Sequence, residues 1–115
     1  MIEKQVSEII EKLIQGTKLK KIKWEKTRRE TEFKVNLGSS SVSTDNWVLE
    51  SGDDCVDLTL WNSNGDIAKR IAFENSGEEV EDYNTLMDLY SLVKNSYYQV
   101  DETINDVLSH LNFSE

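Results

Sequence analysis

Residues 54–74 read DCVDLTLWNSNGDIAKRIAFE and are the clearest indication of the fold in this chain. Apolar and polar residues alternate from Val56 to Leu60, as in a strand with one buried face. The pair Asn64-Gly65 lies between this run and a second alternating run, a position in which Asn-Gly is typical of a β-hairpin turn. These residues therefore predict two antiparallel strands joined by a short turn.

The alternation recurs upstream of the hairpin and predicts a larger sheet. The further strands are expected at 22–25, 33–37 and 42–50. Within the last of these, a bulge is expected near Asp45 or Asn46. In the second strand of the hairpin, Ile67 is expected to share one face with Ile71 and Phe73.

Helical spacing replaces alternation at both ends of the chain. Three sets of apolar residues recur at intervals of three and four, as on one side of a helix. They are Ile2, Val6, Ile9, Ile10, Leu13 and Ile14; Leu86, Leu89, Tyr90, Val93 and Tyr97; and Ile104, Val107, Leu108 and Leu111. Gly16 is expected to end the first helix in a left-handed cap, and Asp101 to begin the last helix as its N-cap.

These elements predict an α+β fold in a single domain, 1–115. The expected order is an N-terminal helix, an antiparallel β-meander of about five strands, and a C-terminal helix or helix pair packed on one face of the sheet. A chain of 115 residues suits one domain and can bury roughly two thirds of the surface that its unfolded form exposes. It therefore requires neither a disulfide nor a structural metal.

The composition argues against a membrane-spanning or secreted protein. No segment approaches the ~20 consecutive apolar residues of a membrane helix, and charges interrupt the N-terminus where a signal peptide would be apolar. The single cysteine, Cys55, can form neither an internal disulfide nor, alone, a zinc site. The expectation is a cytoplasmic protein that needs no cofactor.

The sequence contains no catalytic or metal-binding motif of recognised spacing. His110 is the only histidine, and a helix C-terminus explains it without a catalytic role. Asp53, Asp54 and Asp57 could attract a hard cation, but they lack the spacing, glycine and terminal glutamate of an EF-hand. Cys55 has no histidine near it in sequence, which favours a structural thiol. The prediction is a non-enzyme without catalytic, metal or cofactor-binding residues, and a small-ligand or enzymatic site between sheet and helices is one alternative.

The net charge of −9 is unevenly distributed along the chain. Up to Val35 there are ten basic and six acidic residues, a net charge of +4, and from Asn36 onward there are three basic and sixteen acidic residues, a net charge of −13. Such a split can orient a charged partner. Alternatively, opposite charges can pair across neighbouring strands, each pair contributing roughly 0.2–1 kcal/mol.

The acidic part supports the leading hypothesis, an interaction domain of the immunity, inhibitor or adaptor type that binds another protein, itself basic. Negative charge steers a basic partner during association, and exposed tryptophan is frequent in binding hot spots. The candidate partner-binding residues are Trp47, Asp53, Asp54, Asp57, Trp61, Glu78, Glu79, Glu81 and Asp82. A second copy of the chain could also pair along a sheet edge and form a homodimer.

The basic part supports a second alternative, nucleic-acid binding by the hairpin 18–34. Cations there flank aromatic residues that could stack on bases. The candidate residues are Lys20, Lys21, Lys23, Trp24, Lys26, Arg28 and Arg29. The acidic remainder of the chain repels nucleic acid, so this partner is less favoured. Burial of Trp24, together with carboxylate partners for Lys20, Lys23 and Arg29, would count against it.

Overall fold

The computed structural model describes residues 2–113 and confirms the predicted α+β order. Its elements are α1 (Lys4–Lys18), β1 (Glu25–Lys26), β2 (Phe33–Leu37), β3 (Ser40–Val48), β4 (Asp54–Trp61), β5 (Ile67–Glu74), α2 (Val80–Tyr97) and α3 (Val100–His110). A short 3-10 turn, Gly77–Glu79, leads into α2. The strands form one antiparallel meander in the order β1-β2-β3-β4-β5.

The hairpin of β4 and β5 forms where the sequence predicted it. The side-chain oxygen of Asn62 accepts hydrogen bonds from the backbone N–H groups of Asn64 and Asp66, each at 3.0 Å. Gly65 occupies the left-handed region at φ +85°, which glycine adopts without steric cost. The turn is therefore held by its own side chains as well as by the strands.

The register of this hairpin shifts by one residue between Leu60 and Trp61. Leu60 pairs with Lys69 but Trp61 pairs with Ile67, so β5 contains one extra residue at this point. The expectation that Ile67 shares a face with Ile71 and Phe73 is therefore wrong, and Ile67 is 54% exposed. The expected bulge near Asp45 or Asn46 is also wrong, since β3 pairs with β4 without interruption.

Helices α1 and α2 cover the sheet face that carries Val56, Leu58 and Phe73. The apolar stripes predicted for these two helices supply the other half of the core. The buried apolar side chains are Val6, Ile10, Leu13, Trp24, Phe33, Val35, Val42, Val56, Leu58, Phe73, Leu86, Leu89, Tyr90 and Val93. The opposite side of the sheet, here called the outer face, carries the polar partners of the alternation.

The first helix does not end at Gly16 as predicted. Gly16 lies within α1, which continues to Lys18, and the left-handed residue that follows the helix is Lys20 at φ 59°. Gly16 instead permits close packing, because a Cβ atom there would lie 2.5 Å from Cδ1 of Ile22. The strand expected at 22–25 shrinks to the two residues of β1.

The last helix, α3, leaves the body of the domain. It follows α2 after Gln99, which is its N-cap in the left-handed conformation at φ 52°, and the predicted N-cap, Asp101, lies in the first turn. All residues from 101 to 113 are exposed. The predicted stripe of Ile104 to Leu111 therefore exists, but no part of residues 2–113 buries it.

Candidate functional site

Two buried aspartates lie side by side on the outer face. Asp45 and Asp57 are direct partners in the register of β3 and β4, and they are only 1% and 4% exposed. Asp45 Oδ2 lies 2.9 Å from Nη2 of Arg29, and Asp57 Oδ2 lies 2.9 Å from Nη2 of Arg70. Each carboxylate therefore has its own guanidinium, as buried charges require.

Burial raises the pKa of Asp57 above its ordinary value of 3.8, although the charge of Arg70 opposes this rise. The folded chain thus holds this proton to a higher pH than the unfolded chain does. The stabilising contribution of protonation is complete below pH 3.8 and is lost as the pH rises through the folded pKa.

We therefore expect the wild type to gain stability relative to Asp57→Asn as the pH falls from about 7 toward about 4. Asparagine has nearly the same shape as aspartate and does not titrate. The difference in stability between the two proteins therefore reports the titration of the Asp57 carboxyl group alone. Urea unfolding of both proteins across this range measures it. If the wild type instead loses stability relative to the variant, attraction to Arg70 outweighs burial.

The tryptophans predicted as binding residues, Trp47 and Trp61, are half-buried on the outer face. Trp47 lies beneath the guanidinium of Arg70, 5.5 Å from the ring centroid. Trp61 donates a 2.9 Å hydrogen bond to Ser43, and Lys34 lies over its ring at 4.8 Å. The two rings are about six strand residues, or roughly 20 Å, apart. One partner segment would have to be long to contact both.

The two acidic segments predicted from the sequence meet at one end of the domain. The hydroxyl of Tyr83, in the first turns of α2, donates a 2.5 Å hydrogen bond to Asp54 in the first residue of β4. Burial and this bond raise the pKa of Tyr83 to about 12, so it remains a donor. We call this region the acidic end; its carboxylates are Asp53, Asp54, Glu74, Glu78, Glu79, Glu81 and Asp82. Asp57 is buried under Arg70 and lies outside it.

A groove of about 200 Å³ opens at the acidic end. Its lining is apolar except for two carboxylates at the rim. The lining residues of this acidic groove are Trp47, Leu49, Cys55, Ala72, Phe73, Glu74 and Glu79. Of these residues, sequence reasoning selected only Trp47 and Glu79 as partner-binding candidates. Cys55 and Phe73 were expected only as strand residues, and the placement of Ala72 and Glu74 depends on the register shift in the hairpin. No signal in the sequence singles out Leu49.

Cys55 is buried in this lining and has acidic neighbours. Burial raises the pKa of its thiol, and the charges of Glu74, Asp54 and Asp53 raise it further. A thiol in such surroundings stays protonated and is a poor nucleophile. The groove is therefore suited to contact with an apolar or basic group, and its cysteine contributes packing.

The basic segment is largely tied to the rest of the chain. Trp24 is buried, and its Nε1 donates a 2.9 Å hydrogen bond to Thr17. Lys20 lies 3.6 Å from Glu102, and Arg29 binds Asp45. Lys26 lies 3.2 Å from Glu30 and over the rings of Tyr97 and Tyr98. Of the cations named as nucleic-acid candidates, Lys21, Lys23 and Arg28 have no ion pair within residues 2–113, and neither do Lys18 and Lys34 in the same segment.

Within residues 2–113, no three His, Cys, Asp or Glu side chains come together as metal ligands would. Over the same residues, none of the helices combines the length and apolar character needed to cross a bilayer. Comparison of the chain with models of protein families, with curated proteins and with solved structures gives no match.

Proposed function

We propose that this protein is a cytoplasmic, non-enzymatic interaction domain that binds a basic segment of another protein at its acidic end. The observation that supports the proposal is the acidic groove, in which an apolar floor is rimmed by Glu74 and Glu79. Apolar contacts would supply affinity at the floor, and the carboxylates would select positive charge at the rim.

An exposed apolar side chain contributes to the groove. Leu49 lines it and is 38% exposed, and strand alternation places it on the same side of the sheet as Trp47. Exposed apolar groups beside a charged rim are typical of interaction sites. A segment that combines basic and aliphatic residues would satisfy both features at once.

Trp47 is the expected anchor of the contact. Its ring is already fixed by Arg70, which in turn is held by Asp57 through Nε at 3.0 Å and Nη2 at 2.9 Å. A preorganised aromatic side chain loses little conformational entropy on binding, and tryptophan is enriched among hot-spot residues. The buried Asp57 therefore supports the site indirectly, as a positioning residue.

The test uses two labelled peptide pools of equal length in fluorescence anisotropy. One pool is built from Arg, Lys, Leu and Trp, and the other replaces the basic residues by Asp and Glu. We expect the wild type to bind the basic pool only, and Glu74→Gln/Glu79→Gln to weaken binding about tenfold, since each rim charge contributes about 0.7 kcal/mol.

The matched control is Glu8→Gln/Glu11→Gln, which changes the net charge equally on the exposed side of α1. It should bind the basic pool as the wild type does. If both double variants weaken binding to the same extent, the peptides respond only to overall charge, and the acidic groove is not the site.

One observation favours nucleic acid as a second candidate. Lys21, Lys23, Arg28 and Lys34 line a shallow depression of about 580 Å³ beside β1 and β2. A labelled single-stranded oligonucleotide in the same assay separates the two functions. Binding that survives Glu74→Gln/Glu79→Gln and is lost in Lys21→Gln/Lys23→Gln would assign the function to this depression.

A further inference from the structure

The apolar stripe of α3 is the largest uncovered hydrophobic surface among residues 2–113. Leu108 is 60% exposed and Phe113 is 80% exposed. The other members of the surface, each about half exposed, are Ile104, Val107 and Leu111. Together they expose on the order of 500 Å², which is at the upper end of what a monomeric protein leaves uncovered.

This stripe faces away from the chain's own body. Glu102 points toward the body, because its carboxylate lies 3.6 Å from Nζ of Lys20. Helical spacing places Ile104, Val107, Leu108 and Leu111 on the opposite side of α3 from Glu102. The radius of gyration, 16.3 Å, also exceeds the roughly 13 Å expected for a compact domain of this length.

An isolated helix of this length needs external support. α3 has 11 residues, whereas helices shorter than about 12–15 residues are marginal in water without tertiary packing. Its contact with the rest of the chain is confined to its first turns, where Glu102 meets Lys20. The apolar stripe is therefore expected to pack on a surface outside residues 2–113.

The side chains beside the stripe favour a second copy of the same chain. Thr103 and His110 flank the stripe on one side, and Asn105 and Asn112 flank it on the other. The acidic Glu102 and Asp106 lie on the far side of the helix. A basic partner helix would find little charge at the contact, whereas two copies could approach without facing like charges.

Antiparallel pairing of the two α3 helices suits both their dipoles and the charge of Asp101. It opposes the two helix dipoles, and it places Asp101, the one charged residue at the edge of the stripe, near the uncharged Asn112 of the partner. In this register Val107 packs against the partner's Leu108, and Ile104 packs against the partner's Leu111. The four apolar positions of one stripe are thereby matched by the same four positions of the other.

We propose that the protein forms a symmetric dimer in which α3 pairs antiparallel with α3 of a second copy. Two stripes would bury about 1,000 Å² in total, which is the lower limit for a specific interface. Interfaces at this limit are typical of weak, transient contacts, so we expect association at roughly micromolar concentrations or above. The acidic end lies outside this contact, so this inference does not rest on the proposed function.

Sedimentation equilibrium over a range of concentrations tests the dimer. We expect a monomer–dimer equilibrium for the wild type and at least tenfold weaker association for Leu108→Ser. The control is Leu19→Ser, which removes a side chain of similar exposure, 56%, from the end of α1. It should associate as the wild type does. Thermal unfolding confirms that the body of both variants remains folded.

Cysteine cross-linking tests the register. Around an axis between Val107 and Leu108, the two copies of residue 108 come together, but the two copies of residue 104 lie about 10 Å apart along the helices. Only Leu108→Cys should therefore form a disulfide-linked dimer. In Ile104→Cys the two Cα atoms lie farther apart than the separation of about 7 Å that a disulfide allows. The wild type, whose Cys55 is buried, provides the background.

Four results would overturn the proposal. One is a wild type that stays monomeric up to about 1 mM, and another is association unaffected by Leu108→Ser. The third is a monomer whose binding of the basic peptide pool is lost in Leu108→Ser, which would assign the stripe to the partner segment. Equal cross-linking through residues 104 and 108 would replace antiparallel by parallel pairing and overturn the proposed contact.

Discussion

Replacing Trp24 by alanine is expected to lower the free energy of unfolding by about 3–5 kcal/mol. Trp24 lies within the basic segment, but its side chain is buried between α1 and the sheet. Alanine would leave a cavity of nearly the whole indole ring and would remove the hydrogen bond from Nε1 to Thr17. Urea unfolding followed by far-UV circular dichroism measures the loss.

Trp24→Phe separates the two contributions. It keeps most of the apolar volume and removes the hydrogen bond, so we expect a loss of about 1–2 kcal/mol. The Thr17 hydroxyl, which itself donates to the carbonyl of Leu13 at 2.6 Å, is the partner to delete in a double-mutant cycle. If the free energy of unfolding of Trp24→Ala lies within about 1 kcal/mol of the wild-type value, the side chain does not belong to the core.

This prediction also bears on nucleic-acid binding. The sequence hypothesis required Trp24 to stack on bases, and a ring that stabilises the core is not available for stacking. Two of the three cations named with it, Lys20 and Arg29, have carboxylate partners, whereas Lys23 has none within residues 2–113. The alternative is thereby reduced to contacts with phosphates at the depression lined by Lys21, Lys23 and Arg28.

The hairpin shows how far local sequence rules reach. The Asn-Gly turn and the alternation of β4 predicted the strands, because both signals lie within a few residues of one another. The register shift at Leu60 and Trp61 leaves no such local signal. It keeps Ile71 and Phe73 opposite Leu58 and Val56 in the core, and it turns Ile67 away from them.

The candidate site was predictable only in parts for a similar reason. Asp53 and Asp54 in one segment, and Glu78 to Asp82 in another, stand out as acidic runs. Their meeting depends on how α2 packs on the sheet, through the contact of Tyr83 with Asp54. Periodicity predicts that a helix has an apolar side, but it does not say which surface covers that side, as α3 demonstrates.

Replacing Asp45 by alanine is expected to cost about 3–5 kcal/mol, the usual range for breaking a buried ion pair. Asp45 accepts hydrogen bonds from Thr31 at 2.6 Å and from the backbone N–H of Asn46 at 2.8 Å, in addition to its contact with Arg29. The substitution leaves the Thr31 hydroxyl and the Asn46 N–H without this acceptor at a buried position. Urea unfolding at neutral pH provides the measurement.

Arg29→Ala is the informative comparison for this variant. Deleting the Arg29 side chain, which is 64% exposed, leaves the buried carboxylate of Asp45 without its cation but with the hydrogen bonds from Thr31 and Asn46. We therefore expect a smaller loss of about 1–3 kcal/mol. The inequality follows from what each substitution leaves behind. Arg29→Ala leaves a carboxylate that keeps two donors and gains access to water, whereas Asp45→Ala leaves those donors without an acceptor. If the two substitutions cost the same, the ion pair alone accounts for the stability, and the donors of Thr31 and Asn46 find other acceptors.

The same pair of variants links the stability of the outer face to the proposed binding site. The backbone N–H of Asp45 donates to Asp57 at 3.0 Å, and Asp57 holds the guanidinium that lies over Trp47. Asp45→Ala keeps this N–H but removes the acceptor for Thr31 and for the backbone N–H of Asn46, which directly precedes Trp47. It should therefore disturb the strand that positions Trp47, and Arg29→Ala should not. In the basic-pool assay we accordingly expect Asp45→Ala to weaken binding under conditions where it is still folded, with Arg29→Ala close to the wild type. Unchanged binding by a folded Asp45→Ala protein would show that Trp47 keeps its position without this network.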